Sequence, residues 1–242
     1  MKTMIVTGAS SGIGRAVAEK FLSEGWTVGL MARREDALSE VAANYDQAFV
    51  LPCDVTDAAS VQAGFETFGQ AVGHLDSLFN NAGIFTPAAP IDEIPVEDWM
   101  QAVNVNLTGM FLCARAAFGM MRHQDKQGGR IINNGSVSAH TPREGSATYT
   151  TTKHGVTGLT KTLALDGRAF NIAASQIDIG NAETDMLRDI RQQAIAAGQP
   201  APPVMEVDLV TDAIWQMANL PLHATTLFQT IMATQMPFVG RG

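Results

Sequence analysis

One feature constrains this chain more than any other. Short apolar runs, too brief for helices, alternate along its length with longer segments whose apolar residues mostly recur three and four apart. The runs are MIVTG (4–8), TVGLMA (27–32), AFVLPCDV (48–55), DSLFNNAG (76–83), RIINNGS (130–136), NIAASQIDIG (171–180) and TLFQTIMA (226–233). Between them lie helix-like stretches, among them GRAVAEKFLSEG, REDALSEVAANY, DAASVQAGFETFGQAVG, the long PVEDWMQAVNVNLTGMFLCARAAFGMMRHQ, and YTTTKHGVTGLTKTLALDGRAF. Strands joined by crossovers of that length pair in parallel, and a parallel sheet covered on both faces has strands that are apolar almost throughout. Several of these runs are of that kind. The pattern predicts an α/β fold, a doubly wound parallel sheet of about seven strands with helices on both faces.

The 242 residues contain no repeat, low-complexity tract or linker, and the one Pro cluster, GQPAPPV at 198–204, is short. One domain over residues 1–242 is therefore expected. Apolar residues make up 46% and charged residues 17%, a balance that supports a packed core. A net charge of −8 provides no protein-wide positive field, so neither nucleic acid nor an anionic membrane surface is an expected partner, and an anionic ligand has to be held locally. Cys53 and Cys113 belong to no CxxC pair, and the histidines lack ligand spacing, so reduced thiols and no metal are expected. MKTMIVTGASSGIG lacks the core of a signal peptide and no run approaches a membrane span, which points to a cytoplasmic protein.

Local anion binding has a candidate in VTGASSGIGRAVA, between the first strand and the first helix. Glycines at Gly8, Gly12 and Gly14 allow a tight turn and close approach of main chain to a pyrophosphate, whose charge then meets the helix N-terminus. By itself such a turn is also an ordinary structural loop. The second strand ends VGLMARRED. An acid at this point would hold both ribose hydroxyls of NAD and repel the extra phosphate of NADP; Ala32 followed by Arg33 and Arg34 favours NADP, with NADPH preferred over NADH. Two arginines at a strand end are equally a solvated edge, and Arg33 is the better candidate of the two.

Near residue 150 the stretch ATYTTTKHG sets Tyr149 four places before Lys153, on one face of a helix. A free tyrosine has a pKa of roughly 10, too high for efficient proton exchange near neutrality, and a neighbouring ammonium lowers it. On its own this spacing is more often surface packing.

In order along the chain, TGASSGIG, CDV, NNAG and YTTTK resemble the short-chain dehydrogenase/reductase family, with matching motifs from residue 3 to about 186. The resemblance implies a Rossmann-like fold and reversible hydride transfer between nicotinamide and a carbonyl or secondary alcohol. It assigns Gly8, Ser10, Ser11, Gly12, Ile13 and Gly14 to the cofactor turn. Asp54 and Val55 fall on the adenine side, and Asn80, Asn81, Ala82 and Gly83 on the nicotinamide side. Tyr149 becomes the general acid/base, Lys153 its partner and a ribose contact, Ser136 a donor to the substrate oxygen thirteen positions earlier, and Asn106 the support of a proton-relay water. Ser138 competes with Ser136 and is assigned to the substrate pocket instead.

The resemblance frays after the sixth run, where the family commonly has PGxxxTxM and this chain has IGNAETDM. Gly180, Thr184 and Met186 keep their places while Ile179 replaces proline. Gly180, Ala182 and Thr184 are assigned to the cofactor, and residues at about 184–206 to a substrate lid. Met186 and Met205 are pocket walls or core filler; His140 and Arg143 either contact substrate or shape their loop. The tail TLFQTIMATQMPFVGRG lacks the TG…DGG ending of many fatty-acid-synthesis reductases, which weighs against a 3-oxoacyl-carrier-protein substrate. A small-molecule carbonyl or alcohol and a homodimer or homotetramer are the implied partners. The rival reading is a non-catalytic NADP-binding sensor or scaffold, which would have no use for Ser136 and Tyr149 together.

Overall fold

The computed structural model describes residues 1–239, apart from the side chains of Met186, Ile190 and Gln193. Its centre is one sheet of seven parallel strands: β1 Thr3–Thr7, β2 Thr27–Ala32, β3 Ala48–Pro52, β4 Ser77–Asn80, β5 Gly129–Asn134, β6 Ile172–Ile179 and β7 Phe228–Ile231. The order β3-β2-β1-β4-β5-β6-β7 means that the chain builds outward from β1, returns, and builds outward on the other side. Where it reverses, between β1 and β4, a crevice opens beyond the carboxyl ends of the strands.

Each expected run contains a strand, but CDV, NAG and GS at their ends leave the sheet and become loops along that carboxyl edge. Two helical layers cover the sheet. On one face lie α1 (Gly12–Ser23), α2 (Glu35–Ala42) and α8 (Val207–Asn219), over a core that includes Phe21, Trp26, Leu38, Val41 and Ile214. On the other lie α3 (Ala58–Val72), α5 (Met110–His123) and α6 (Ala147–Asp166), over Phe65, Phe68, Cys113, Ala117, Met121 and Leu163. Between them in sequence, α4 (Val96–Val103) precedes α5 and α7 (Asp185–Ala196) follows β6. Among the described residues no helix is long and apolar enough to cross a membrane.

The stretch expected as one long helix, 95–124, is α4 and α5 joined without a break by a π-helical segment, Asn104–Gly109. Such wide turns accommodate an extra residue and are frequent at functional sites. Asn106 anchors this one: its Oδ1 accepts from the Ile84 N–H at 2.7 Å and its Nδ2 donates to the Ile84 carbonyl at 2.9 Å. Helix α6 was the least amphipathic of the expected helices. Its buried face reads Thr148, Thr152, Val156, Thr160 and Leu163, three or four apart, with Lys153 beside it. Threonine tolerates that face by hydrogen-bonding locally, as the Thr152 hydroxyl does to the Tyr149 carbonyl at 2.9 Å.

Arg130 in β5 is wholly buried, and among the described residues it forms no ion pair. Its guanidinium donates to the carbonyls of Leu220 and Ala224 at 3.2 and 2.9 Å and to the Thr225 hydroxyl at 3.0 Å, just past the end of α8. A cation there satisfies carbonyls that a helix C-terminus leaves without partners and complements its dipole. It also fastens residues 220–225, which lead into β7, to the centre of the sheet. Replacing Arg130 by Met strands those acceptors, and the unfolding free energy in urea should fall by about 2–4 kcal/mol; an unchanged midpoint and slope would remove Arg130 from this role.

Candidate active site

Along the carboxyl edge runs a cavity of about 1050 Å³, bounded at one end by the β1–α1 turn and at the other by Ser136, Tyr149 and Lys153. The first end is shaped by glycine. Gly8 and Gly12 have φ of 69° and 55°, in the left-handed region that side chains disfavour. A Cβ on Gly14 would strike the Gly8 carbonyl oxygen and lie 2.6 Å from Asn81 Nδ2. Glycine therefore lets α1 start directly against the turn. The Ser11 side chain does not cap the helix and no acid occupies its first turn, leaving an N-terminus suited to an anion. Thr7 ties the turn to the loop after β4, its hydroxyl accepting from the N–H groups of Asn81 and Ala82 at 2.8 and 2.9 Å.

Ser10, Ser11, Ile13, Arg33 and Arg34 all line this end. Both arginines are exposed, and Arg34 reaches the Ser10 hydroxyl at 3.3 Å. Asp54 and Val55 line the adjoining wall. The N–H and hydroxyl of Thr56 bond the Asp54 carboxylate and hold its pKa below the ordinary value, with the Arg33 charge adding to the effect.

The loop after β4 lines the cavity with Asn81, Ala82, Gly83 and Phe85, and the loop after β6 with Gly180, Ala182 and Thr184. Ile179, where the family commonly has proline, ends β6 paired with Ile231. The Gly180 N–H bonds the Ile231 carbonyl at 2.8 Å, and Ala182 forms an isolated parallel bridge with Met205. Thr184 comes within van der Waals reach of the Gly12 position, so the fold joins two segments that the sequence separates by more than 170 residues.

At the other end, α6 presents Tyr149 and Lys153 one turn apart, and Ser136 follows β5 at the start of a 3-10 turn, Val137–Ala139. The Ser136 hydroxyl oxygen accepts from the Ser138 N–H at 3.1 Å, leaving its proton free to be donated elsewhere. Lys153 is buried and donates to the Asn134 carbonyl at 2.7 Å; burial pulls its pKa down to about 8, against the charge of Asp178. The expected depression of Tyr149 by Lys153 is not found. Burial pushes the Tyr149 pKa up, opposed by the Ser136 hydroxyl and the Arg143 charge, while the Lys153 ammonium is engaged elsewhere, 5.4 Å from the ring centroid. Phe85 stacks on the Tyr149 ring at 4.3 Å.

Not every expected residue faces the cavity. Ser138 does, but Asn106 is buried beneath the wall, with Thr152 of α6 at 3.5 Å, while neighbouring Asn104 lines it. Thr152, which lies between Tyr149 and Lys153 in sequence, is buried and donates to the Tyr149 carbonyl at 2.9 Å. The His140 ring turns from the cavity to the buried Asp178, with Nε2 2.7 Å from Oδ2. The Met186 side chain lies outside the described part of the structure. Sequence reasoning also missed Met100 and Met236 as walls, and it missed Asp178, whose one signal was an acid inside the apolar run QIDIG.

Known proteins share this construction. A sequence model described as short chain dehydrogenase matches residues 2–195. A 3beta-hydroxysteroid dehydrogenase of Mediterraneibacter gnavus is 35% identical over 189 residues, covering 76% of this chain and 67% of the relative. A 2-dehydro-3-deoxy-L-rhamnonate dehydrogenase (NAD(+)) of Sphingomonas is 31% identical over 209 residues, covering 86% and 83%. The crystal structure of a 3-ketoacyl-(acyl-carrier-protein) reductase from Brucella melitensis, complexed with NADH, superposes with a TM-score of 0.85 over 96% of each chain at 26% identity. With a family match that runs from β1 into α7 and a fold shared over nearly its whole length, this chain belongs to the short-chain dehydrogenase family.

Proposed function

We infer that the protein is an NADP(H)-dependent oxidoreductase that interconverts a carbonyl and a secondary alcohol, with Tyr149 as general acid/base. One observation carries this reading: Ser136, Tyr149 and Lys153 wall the same cavity as the glycine turn and Arg33. A dinucleotide fits the residues present. The turn keeps main-chain amides open at the start of α1, and among the described residues neither Arg33 nor Arg34 forms an ion pair. The relatives support a nicotinamide cofactor, one named for NAD(+) and one complexed with NADH. Preference for NADP rests on this chain's own Ala32, Arg33 and Arg34.

A bound nicotinamide supplies or accepts the hydride; the side chains manage the oxygen. In reduction Tyr149 gives its proton to the developing alkoxide, and its raised pKa keeps that proton in place until substrate arrives. Ser136 donates its free O–H to the same oxygen. The Lys153 ammonium, fixed by the Asn134 carbonyl, serves as the ribose contact. Asn106 supports a proton-relay water through the π-helical turn it anchors. Helix α7 and the segment up to Met205 act as the lid over substrate, since Asn181, Thr184 and Leu187 line the cavity below it. Exposed Trp99, Met100, Phe111 and Leu165 on α4, α5 and α6 suit burial in a homo-oligomer. Mere cofactor binding would leave the Ser136 and Tyr149 hydroxyls without a task, which disfavours a sensor or scaffold.

A panel of ketones and aldehydes with NADPH, followed by nicotinamide absorbance, should give turnover that Tyr149→Phe lowers by about 100-fold or more; no member turned over faster by the parent than by the variant would defeat the reading. In titrations NADPH should bind tighter than NADH by about 10- to 100-fold, and Arg33→Ala should abolish most of that margin. Equal affinities in the parent would reverse the cofactor assignment. Lys153 gives a separate check. Between its folded pKa of about 8 and the ordinary lysine value of 10.5, the unfolded chain carries a proton that the folded one lacks. Its contribution to stability therefore rises with pH through that window, by up to about 1.4 kcal/mol per unit, and is lost as pH falls through 8. The difference in unfolding free energy between parent and Lys153→Met should show this slope; a flat difference would mean that the ammonium is solvated.

A further inference from the structure

We propose that Asp178 and His140 form a positioning pair for the reaction, the buried carboxylate fixing the Ser136 main chain through one oxygen while the His140 ring fixes the carboxylate through the other. The proposal rests on the reading of Ser136 as the donor to the substrate oxygen.

Asp178 lies in β6 between Ile177 and Ile179 and is fully buried. A carboxylate in that setting is tolerated only when hydrogen bonds replace its water. Its Oδ1 accepts from the Ser136 N–H at 2.9 Å and from Gln176 Nε2 at 2.8 Å. With both donors on Oδ1, Oδ2 is left to the His140 ring, whose Nε2 lies 2.7 Å away, and the proton between them is assigned to the ring. The residue before the serine makes this approach possible. A Cβ on Gly135 would collide with Asp178 Oδ1 and lie 2.7 Å from Gln176 Nε2. The Gly135 N–H in turn bonds the Ile177 carbonyl at 2.8 Å, so both amides flanking the Gly135–Ser136 peptide are pinned to β6.

The same carboxylate reaches the other reacting groups. Gln176 donates to the Thr157 hydroxyl at 3.0 Å and accepts from Thr160 at 3.1 Å, both on the helix that carries Tyr149 and Lys153. Ser136 and α6 thus take their places from one buried acid and amide. The charge of Asp178 also favours the protonated forms of Tyr149 and Lys153. The open side of the ring, 41% exposed, is flanked by Phe238 with centroids 6.3 Å apart. Neither His140 nor Asp178 lines the cavity, which makes them positioning residues that act through Ser136.

Two measurements test the pair. Without any substrate, ¹⁵N NMR of the imidazoles should show His140 protonated on Nε2, and Asp178→Asn, whose amide can donate to that nitrogen, should move the proton to Nδ1. A parent ring lacking the Nε2 proton overturns the pairing. In the NADPH assay, His140→Ala should lower kcat by about tenfold and Asp178→Asn by about 10- to 100-fold, with KM, NADPH affinity and melting temperature near the parent's. His140→Gln, which can still donate to Asp178, should recover most of the rate. Parent-like kcat in His140→Ala on a substrate that Ser136→Ala no longer turns over overturns the proposal, as does a loss confined to KM or equal losses in the Gln and Ala variants. Full activity of Ser136→Ala would instead remove the reading of Ser136 on which the pair depends.

Discussion

A parallel sheet walled by helices gives a polar side chain no water, and β4, β5 and β6 place several there. Asn80 donates to Asn133 at 3.1 Å, Asn133 to Thr160 at 2.9 Å, Thr160 to Gln176 at 3.1 Å, and Gln176 to Asp178 at 2.8 Å. Each such group left without a partner costs about 1–3 kcal/mol, whereas a satisfied bond contributes only about 1 kcal/mol. The series therefore does more for uniqueness than for stability. It fixes how α6 sits on β5 and β6, because Thr160 has to meet both Asn133 and Gln176. Once that contact is set, the positions of Tyr149 and Lys153, three and two helical turns earlier, follow.

Electrostatics at the reacting end depends on the same burial. Lys153 is deprived of water and compensated by one carbonyl and the field of Asp178, so its charge is responsive to what fills the space beside it. Arg130 shows the contrasting use of a buried cation. Several carbonyls hold it, and though burial also lowers its pKa, a guanidinium keeps its proton. One borders the cavity and the other joins α8 to the sheet.

The sheet, its parallel character and its strand count were legible because apolar runs and crossover lengths leave few alternatives. The glycine turn was legible because its main-chain geometry excludes other residues. What escaped has a common cause, since it depends on neighbours that only the folded sheet creates. His140 and Asp178 lie 38 residues apart and meet because β6 pairs with β5. The π-helical segment follows from a bond between Asn106 and a loop 22 residues earlier. Helix α6 looked weakly patterned because its buried side carries threonines that bond within the helix, and hydropathy counts them as polar. Met236 became a wall only when the tail beyond β7 folded back beside Gly180. Tyr149 and Lys153 were found by spacing, yet their electrostatics was misjudged, because spacing does not say what else a lysine bonds.

The π-helical segment sets a phase relation between the two helices it joins. An α-helix advances about 100° per residue, so removing the extra residue would turn everything downstream by that angle about a shared axis. Cys113, Ala114, Ala117 and Met121, now facing the sheet, would rotate away from it, although no contact inside α5 itself would change. Insertions and deletions between 104 and 109 consequently disturb all of α5, whereas a substitution acts locally. Apart from Asn106, held by Ile84, and Gly109, pressed against Val55, the stretch is constrained by its count, and any attempt to regularise it into plain α-helix has to re-space the whole of α5.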